Sequence, residues 1–148
     1  MVELILVIAI IIIIAAAIFV ALNPSRRIGD AQNSRRWSDV NQVLNAIQQY
    51  SVDNTGTFPN QGDWTVTVNH VLGTDAAGCD TTCGAVSTEA SCLELDDLTT
   101  NNYLASIPAD PSTGSAANTD YYVTRSSGGI VTVGSCDPYN GATINVSR

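Results

Sequence analysis

Residues 4–22 read LILVIAIIIIIAAAIFVAL, nineteen apolar positions in a row with no polar side chain among them. At a helical rise of 1.5 Å per residue they span about 28 Å, close to the roughly 30 Å hydrocarbon core of a bilayer. The isoleucine block at residues 10–14 is a middling helix former in water. In lipid every backbone N–H and C=O needs an internal partner, so helix is the conformation left to a lone span. After Asn23-Pro24 the pattern changes. Apolar residues recur at Ile28, Ala31, Val40, Val43, Leu44, Ile47 and Tyr50, the three-and-four spacing of one helix face. Asp53-Asn54-Thr55-Gly56 supplies a helix stop, with Pro59 just beyond. Residues 1–53, if mostly helical, form a rod of about 80 Å, one half apolar all round and the other striped to meet a sheet.

Beyond the rod the period shortens. Residues 64–68 (WTVTV) alternate and predict a short strand or an extended loop. Residues 73–91 are small and aperiodic and predict a surface loop. Leu93, Leu95, Leu98 and Tyr103-Leu104 predict a short helical turn leading into Ile107-Pro108. Strands are expected at residues 121–125, 130–134 and 142–146, with Ser126-Ser127-Gly128-Gly129 turning the first hairpin. The expected class is α+β: a long N-terminal helix packed on a small C-terminal antiparallel sheet. Its segments are residues 1–23 (membrane or core helix), 24–53 (amphipathic continuation) and 54–148 (globular head).

Charge divides the chain near the same place. Residues 1–36 hold four arginines against Glu3 and Asp30, a net of +2, whereas residues 37–148 hold Arg125 and Arg148 against twelve acids, a net of −10. With no lysine anywhere, such a head repels nucleic-acid phosphates, so no direct nucleic-acid binding is expected. Arg26 with Asp30 and Arg35 with Asp39 are spaced as i,i+4 pairs, worth a few tenths of a kcal/mol each when exposed. The basic band reads either as a solvated face beside lipid head groups or as a partner for acidic heads of neighbouring subunits.

Glu3 stands at the edge of the apolar run. A carboxylate at the bilayer centre costs about 2.5–3.5 kcal/mol, less near an interface. One reading is a favourable acid at a helix N-terminus among head groups; the sharper one is that Glu3 neutralises a positive group on another subunit and sets a fixed axial offset. A cleavable signal peptide fits less well, because the apolar run is too long and no basic segment precedes it in this chain. A simple permanent anchor accounts for the span but leaves Glu3 without a role.

The stretch VELILVIAIIIIIAAAIFVAL, with its single Glu, resembles the N-terminal helix of the type IV pilin and pseudopilin family. ALNPSRRIGDAQNSRRWSDVNQVLNAIQQYSVDNTGTFP and YLASIPADP extend the resemblance, strongly over residues 1 to about 60 and by pattern over 92–136. It implies a pilin fold and a non-enzymatic structural subunit of a type IV pilus or pilus-like filament (fimbrium), with a secretion or DNA-uptake pseudopilin as the alternative. It also implies homo-oligomerisation into a helical polymer, a membrane stage before assembly, and dependence on a pilus assembly machinery. Glu3 would set subunit register. Leu4, Ile5, Leu6, Val7, Ile8, Ile10, Ile11, Ile12, Ile13, Ile14, Ala15, Ala16, Ala17, Ile18, Phe19, Val20, Ala21 and Leu22 would form the span and then the filament core, the alanines allowing close helix approach. The family's basic leader and N-methylated Phe have no counterpart here, and isoleucine stands where a helix-loosening Gly is common, so helix loosening is expected nearer Pro24. The arginines after the span would, by the positive-inside rule, hold the head in the cytoplasm. The family's leader would supply the opposing N-terminal charge and the cysteines favour an oxidising compartment, so the head is expected outside the cytoplasmic membrane.

Four cysteines allow three pairings. The expected one joins Cys92 to Cys136 and Cys79 to Cys83, with a zinc site as the competing reading, weakened by the lack of a second close pair. Asp110, Ser112 and Asp120 could offer oxygens to calcium, as loops in some pseudopilins do. Their spacing is not that of an EF-hand, and turn formation explains them. No metal or other cofactor is expected. His70 is the sole histidine, no residue sits in a recognisable nucleophile elbow, and no lysine is present for Schiff-base or phosphate chemistry, so enzyme activity is not expected. Asn145-Val146-Ser147 matches an N-glycosylation acceptor, a motif that also arises by chance. A solitary membrane-anchored binding module is the rival from another class.

Overall fold

The computed structural model describes all residues 1–148, and the protein is α+β. Helix α1 runs Val2–Leu22 and helix α2 runs Pro24–Asp53, interrupted only at Asn23. The chain divides into two compact units, residues 1–31 and residues 32–148, with the boundary inside α2.

In the first unit Asn23 ends one helix and begins the next. It adopts the left-handed conformation (φ 41°, ψ 74°) that asparagine tolerates better than most residues. Its carbonyl accepts from the N–H groups of Arg26 (3.1 Å) and Arg27 (3.3 Å), and its side-chain oxygen accepts from Arg26 N–H at 3.4 Å. Asn23 is therefore the N-cap of α2, with Pro24 at the first helical position, where its missing N–H costs nothing. Pro24 restarts the helix here, and the interruption falls one residue before it.

The second unit packs the later part of α2 on a four-stranded antiparallel sheet of order β1-β4-β5-β6: β1 Asn69–Val71, β4 Tyr121–Arg125, β5 Val131–Ser135 and β6 Asn145–Ser147. Two further strands, β2 Thr82–Cys83 and β3 Val86–Ser87, form a separate small hairpin. In β4 and β5, Tyr121 opposes Ser135 and Val123 opposes Val133. The face carrying Tyr121, Val123, Val131 and Val133 meets Val40, Val43, Leu44 and Ile47 of α2, together with Leu72, Leu98 and Ile144. Each such side chain taken fully out of water contributes about 1.5–3 kcal/mol. This core fixes the sheet to the helix.

Several sequence expectations are met and several shift. α2 ends at Asp53, where Gly56 (φ +88°) turns back so that its N–H donates to Ser51 O at 2.7 Å. The expected helical turn is α3, Asp96–Thr100. Residues 64–68 do not form a strand: Trp64 turns wholly into the core and Thr67 takes φ +66°, so the alternation breaks and β1 starts at Asn69. Residues 73–91 contain the β2–β3 hairpin, which two-residue strands do not announce in a hydrophobic pattern. The last strand, Asn145–Ser147, begins three residues later than expected; residues 142–144 lead into it from the Tyr139–Gly141 3-10 turn without joining the strand.

Candidate functional site

The first unit presents α1 with none of its residues buried, from Val2 at 78% exposure through Ile8 at 46% to Val20 at 80%. It is long and apolar enough to cross a membrane. Apolar side chains cover its whole circumference, so it has no polar stripe to turn to water; such a helix is stable only when surrounded by lipid or by other helices. Glu3 lies in its first turn, where an acid complements the free N–H groups and the positive end of the helix dipole. Nothing else in α1 is charged. Just past the span, Arg26 pairs loosely with Asp30 at 3.9 Å, both exposed.

In the second unit the largest electrostatic feature is one that sequence spacing did not announce. Arg36 is 1% exposed and clasps Asp110 on two edges, Nε to Oδ2 at 2.5 Å and Nη2 to Oδ1 at 2.9 Å. Nη2 also donates to Ser112 Oγ at 2.7 Å, and Nη1 donates to Asn33 Oδ1 at 3.0 Å. Asn33 in turn bonds the backbone of Tyr139 through both its amide atoms. One helical turn of α2 thereby holds the 110–113 turn and the 3-10 turn together. The signal was present: Arg36 lies four, seven and eleven residues before Val40, Val43 and Ile47, on the buried face, while Arg35 lies off it.

Arg35 does meet Asp39 at 3.7 Å as its spacing implied, but Asp39 also accepts the hydroxyl of the buried Tyr121 at 2.9 Å. Burial, with Asp39 close by, drives the Tyr121 phenol well above its usual pKa. Burial alone would raise the Asp110 pKa; the hydrogen bonds from Arg36 and from Ser112 N and Oγ outweigh it and hold the group at about 2. Asp110 and Ser112 are thus committed to an arginine, and the oxygens imagined for calcium are taken. Asp120 bonds Thr113 of the same turn, whose N–H donates to Asp110. Asp120 is buried at φ +58°, and burial, with Asp80 and Asp137 nearby, raises its pKa against the hydrogen bond with Thr113.

All four cysteines are disulfide-bonded, which removes the thiolates a zinc site would use. The pairing corrects the expected one: Cys79 joins Cys92 and Cys83 joins Cys136, with Cα–Cα distances of 5.4 and 4.2 Å. The reason is the hairpin. Residues 79–83 run beside 86–90, bending at Cys79 and Thr81 before the short strand β2, with Thr88 N–H to Thr81 O at 3.1 Å and Cys79 N–H to Ala90 O at 3.0 Å. Each cysteine instead meets the chain lying beside its own end of the arm.

His70 is buried on β1 with Nε2 unpartnered; burial lowers its pKa, against the pull of Glu89 and a backbone hydrogen bond with Ser91. Arg125, at the end of β4, stacks over Phe58 (5.1 Å) and Trp64 (5.6 Å) and donates to Trp64 O at 3.1 Å, tying the 58–64 strap to the sheet. Asn145 and Ser147 lie exposed on the edge strand β6, Ser147 Oγ within 2.8 Å of Thr132 Oγ1. Comparison with protein-family models, with curated proteins and with solved structures gave no match.

Proposed function

We propose that this chain is a structural subunit of a type IV pilus or a related pilus-like surface filament. The observation that carries the reading is α1: a 21-residue apolar helix with no buried residue and a single acid in its first turn. Such a surface needs a nonaqueous surrounding, and this reading gives it two in succession. The subunit waits in the cytoplasmic membrane as a single-pass protein with its head outside. The assembly machinery then draws it out, and the helix enters a bundle of identical helices.

Contact between different patches of successive copies does not close on itself, so the polymer grows as an open helix. Glu3, the one charge in the apolar segment, sets the axial offset by meeting a cation of a neighbouring copy. Two disulfides in the 117-residue second unit suit the oxidising side of a membrane. The role is structural, with no catalytic step assigned. A pseudopilin of a secretion or DNA-uptake machine would use the same helix, and a solitary anchored binding module would use it only as an anchor. Immunogold negative-stain microscopy of sheared surface material separates these readings. Long labelled filaments are expected; label found only on dispersed membrane protein would overturn the filament reading.

A further inference from the structure

We infer that Arg26 and Arg27 form a phosphate-binding collar that seats the subunit at a fixed depth by gripping anionic phospholipid head groups at the C-terminal end of the span. The inference rests on reading α1 as the membrane span. Arg26 and Arg27 follow Leu22 by four and five residues across the left-handed Asn23, which keeps their backbones within about 12 Å of Leu22. The head-group layer adds about 5–8 Å on each side of the hydrocarbon core. With Leu22 at the hydrocarbon edge, both exposed guanidiniums are within reach of the phosphate level.

The local structure favours this contact. Asn23 caps α2 through the N–H groups of Arg26 and Arg27 themselves, which fixes the backbone of both residues immediately beyond the apolar segment. Both side chains are exposed, and Arg26 is held by Asp30 only at 3.9 Å, with side-chain exposures of 73% and 56%. A pair that loose and wet is worth little and yields to a better partner. A phosphate diester offers two oxygens to the guanidinium fork, the bidentate geometry arginine fits best. Arg36 illustrates the alternative fate of an arginine in this chain, being buried against a carboxylate, whereas Arg26 and Arg27 are exposed.

The test uses the full chain in phosphatidylcholine vesicles doped with either spin-labelled phosphatidylglycerol or spin-labelled phosphatidylcholine, reading the fraction of motionally restricted lipid. Preference for phosphatidylglycerol is expected, about fivefold for each arginine at low salt, weakening in 1 M NaCl. Arg26→Gln/Arg27→Gln should bring the two lipids to parity, while Arg26→Lys/Arg27→Lys should keep part of the preference. Equal restriction of both lipids by the native chain, or a preference unchanged in the glutamine variant, overturns the inference. Loss of filaments in the glutamine variant with an unchanged lipid preference also overturns it and gives these arginines to the acidic head of a neighbouring copy. A native chain that fails to float with either vesicle would sink the membrane reading as well, whereas one that floats without lipid preference sinks only the collar.

Discussion

Arg36 and Asp110 stand 74 residues apart in sequence and meet as a doubly hydrogen-bonded ion pair, with side-chain exposures of 2% and 0%. Hydrogen bonding to Asp110 raises the already high pKa of the guanidinium, so the pair stays ionised throughout the physiological range. Removing one partner leaves the other charged and buried, a far larger loss than the pair's own net contribution. Arg36→Met is therefore expected to destabilise the head by about 3–5 kcal/mol. Urea unfolding of the full chain in detergent measures this; a change under about 1 kcal/mol would mean that water reaches the pair.

Acid should act on the same pair. The folded pKa of Asp110, about 2, lies below its unfolded value of 3.8. Its contribution is therefore complete above about pH 4 and is lost as pH falls towards 2, a change of about 2 kcal/mol. His70 acts earlier. Burial lowers its folded pKa below the ordinary 6.5, so stability is flat above that value and falls as the unfolded chain takes up a proton that the fold resists. Thermal unfolding between pH 7 and 4 should show a His70-dependent decline that His70→Gln flattens, and the Asp110 step should remain below it.

The two disulfides should differ in weight. Cys83 and Cys136 close 53 residues, Cys79 and Cys92 only 13. By loop entropy alone the double alanine variants lose about 4 and about 3 kcal/mol respectively. Non-reducing peptide mapping should recover these two links; a Cys92–Cys136 peptide would refute the pairing.

How much of this was legible follows the range of each interaction. The β4–β5 hairpin was readable because a period-two pattern flanks a glycine turn, and the turn closes locally, Ser126 N–H to Ile130 O at 2.8 Å. The helix stop at Asn54-Thr55-Gly56 was readable for the same reason. Arg35 and Arg36 look alike beside their acids, yet Arg35 takes its i+4 neighbour while Arg36 reaches the loop after Pro108. Its position on the buried face could have singled it out, but the partner 74 residues away depends on how the sheet returns to the helix. The cysteine pairing is not legible for the same reason: a four-residue spacing reads as a small loop, whereas the actual partners, Cys92 and Cys136, depend on how later segments return to the hairpin. Residues 64–68 alternate like a strand, but core burial of Trp64 overrides that pattern.

Tyr122 and Gly134 oppose each other across β4 and β5, and the phenol ring lies over the glycine. A Cβ there would sit 2.6 Å from Tyr122 Cζ and 2.7 Å from its hydroxyl. Gly134→Ala should therefore cost about 1–3 kcal/mol through overpacking. In the background of Tyr122→Ala most of that cost should vanish. A double-mutant cycle by chemical unfolding measures the coupling, and additive losses would show that the ring is not what requires glycine.

Glu3 carries the most specific functional prediction. In α1 it needs no partner within its own chain, since the helix N-terminus already favours an acid there. If that local role were its whole purpose, Glu3→Gln would leave both membrane insertion and polymer formation near native. A role between subunits predicts a split: insertion unchanged, filament yield down at least tenfold, because an unpaired cation on the neighbouring copy would then be buried in the apolar bundle. Membrane flotation and filament counts from one preparation read both quantities. Glu3→Asp should fall between, its carboxylate retained but one methylene short. Native yields from Glu3→Gln would leave the helix as the polymer's core and remove Glu3 from setting its register.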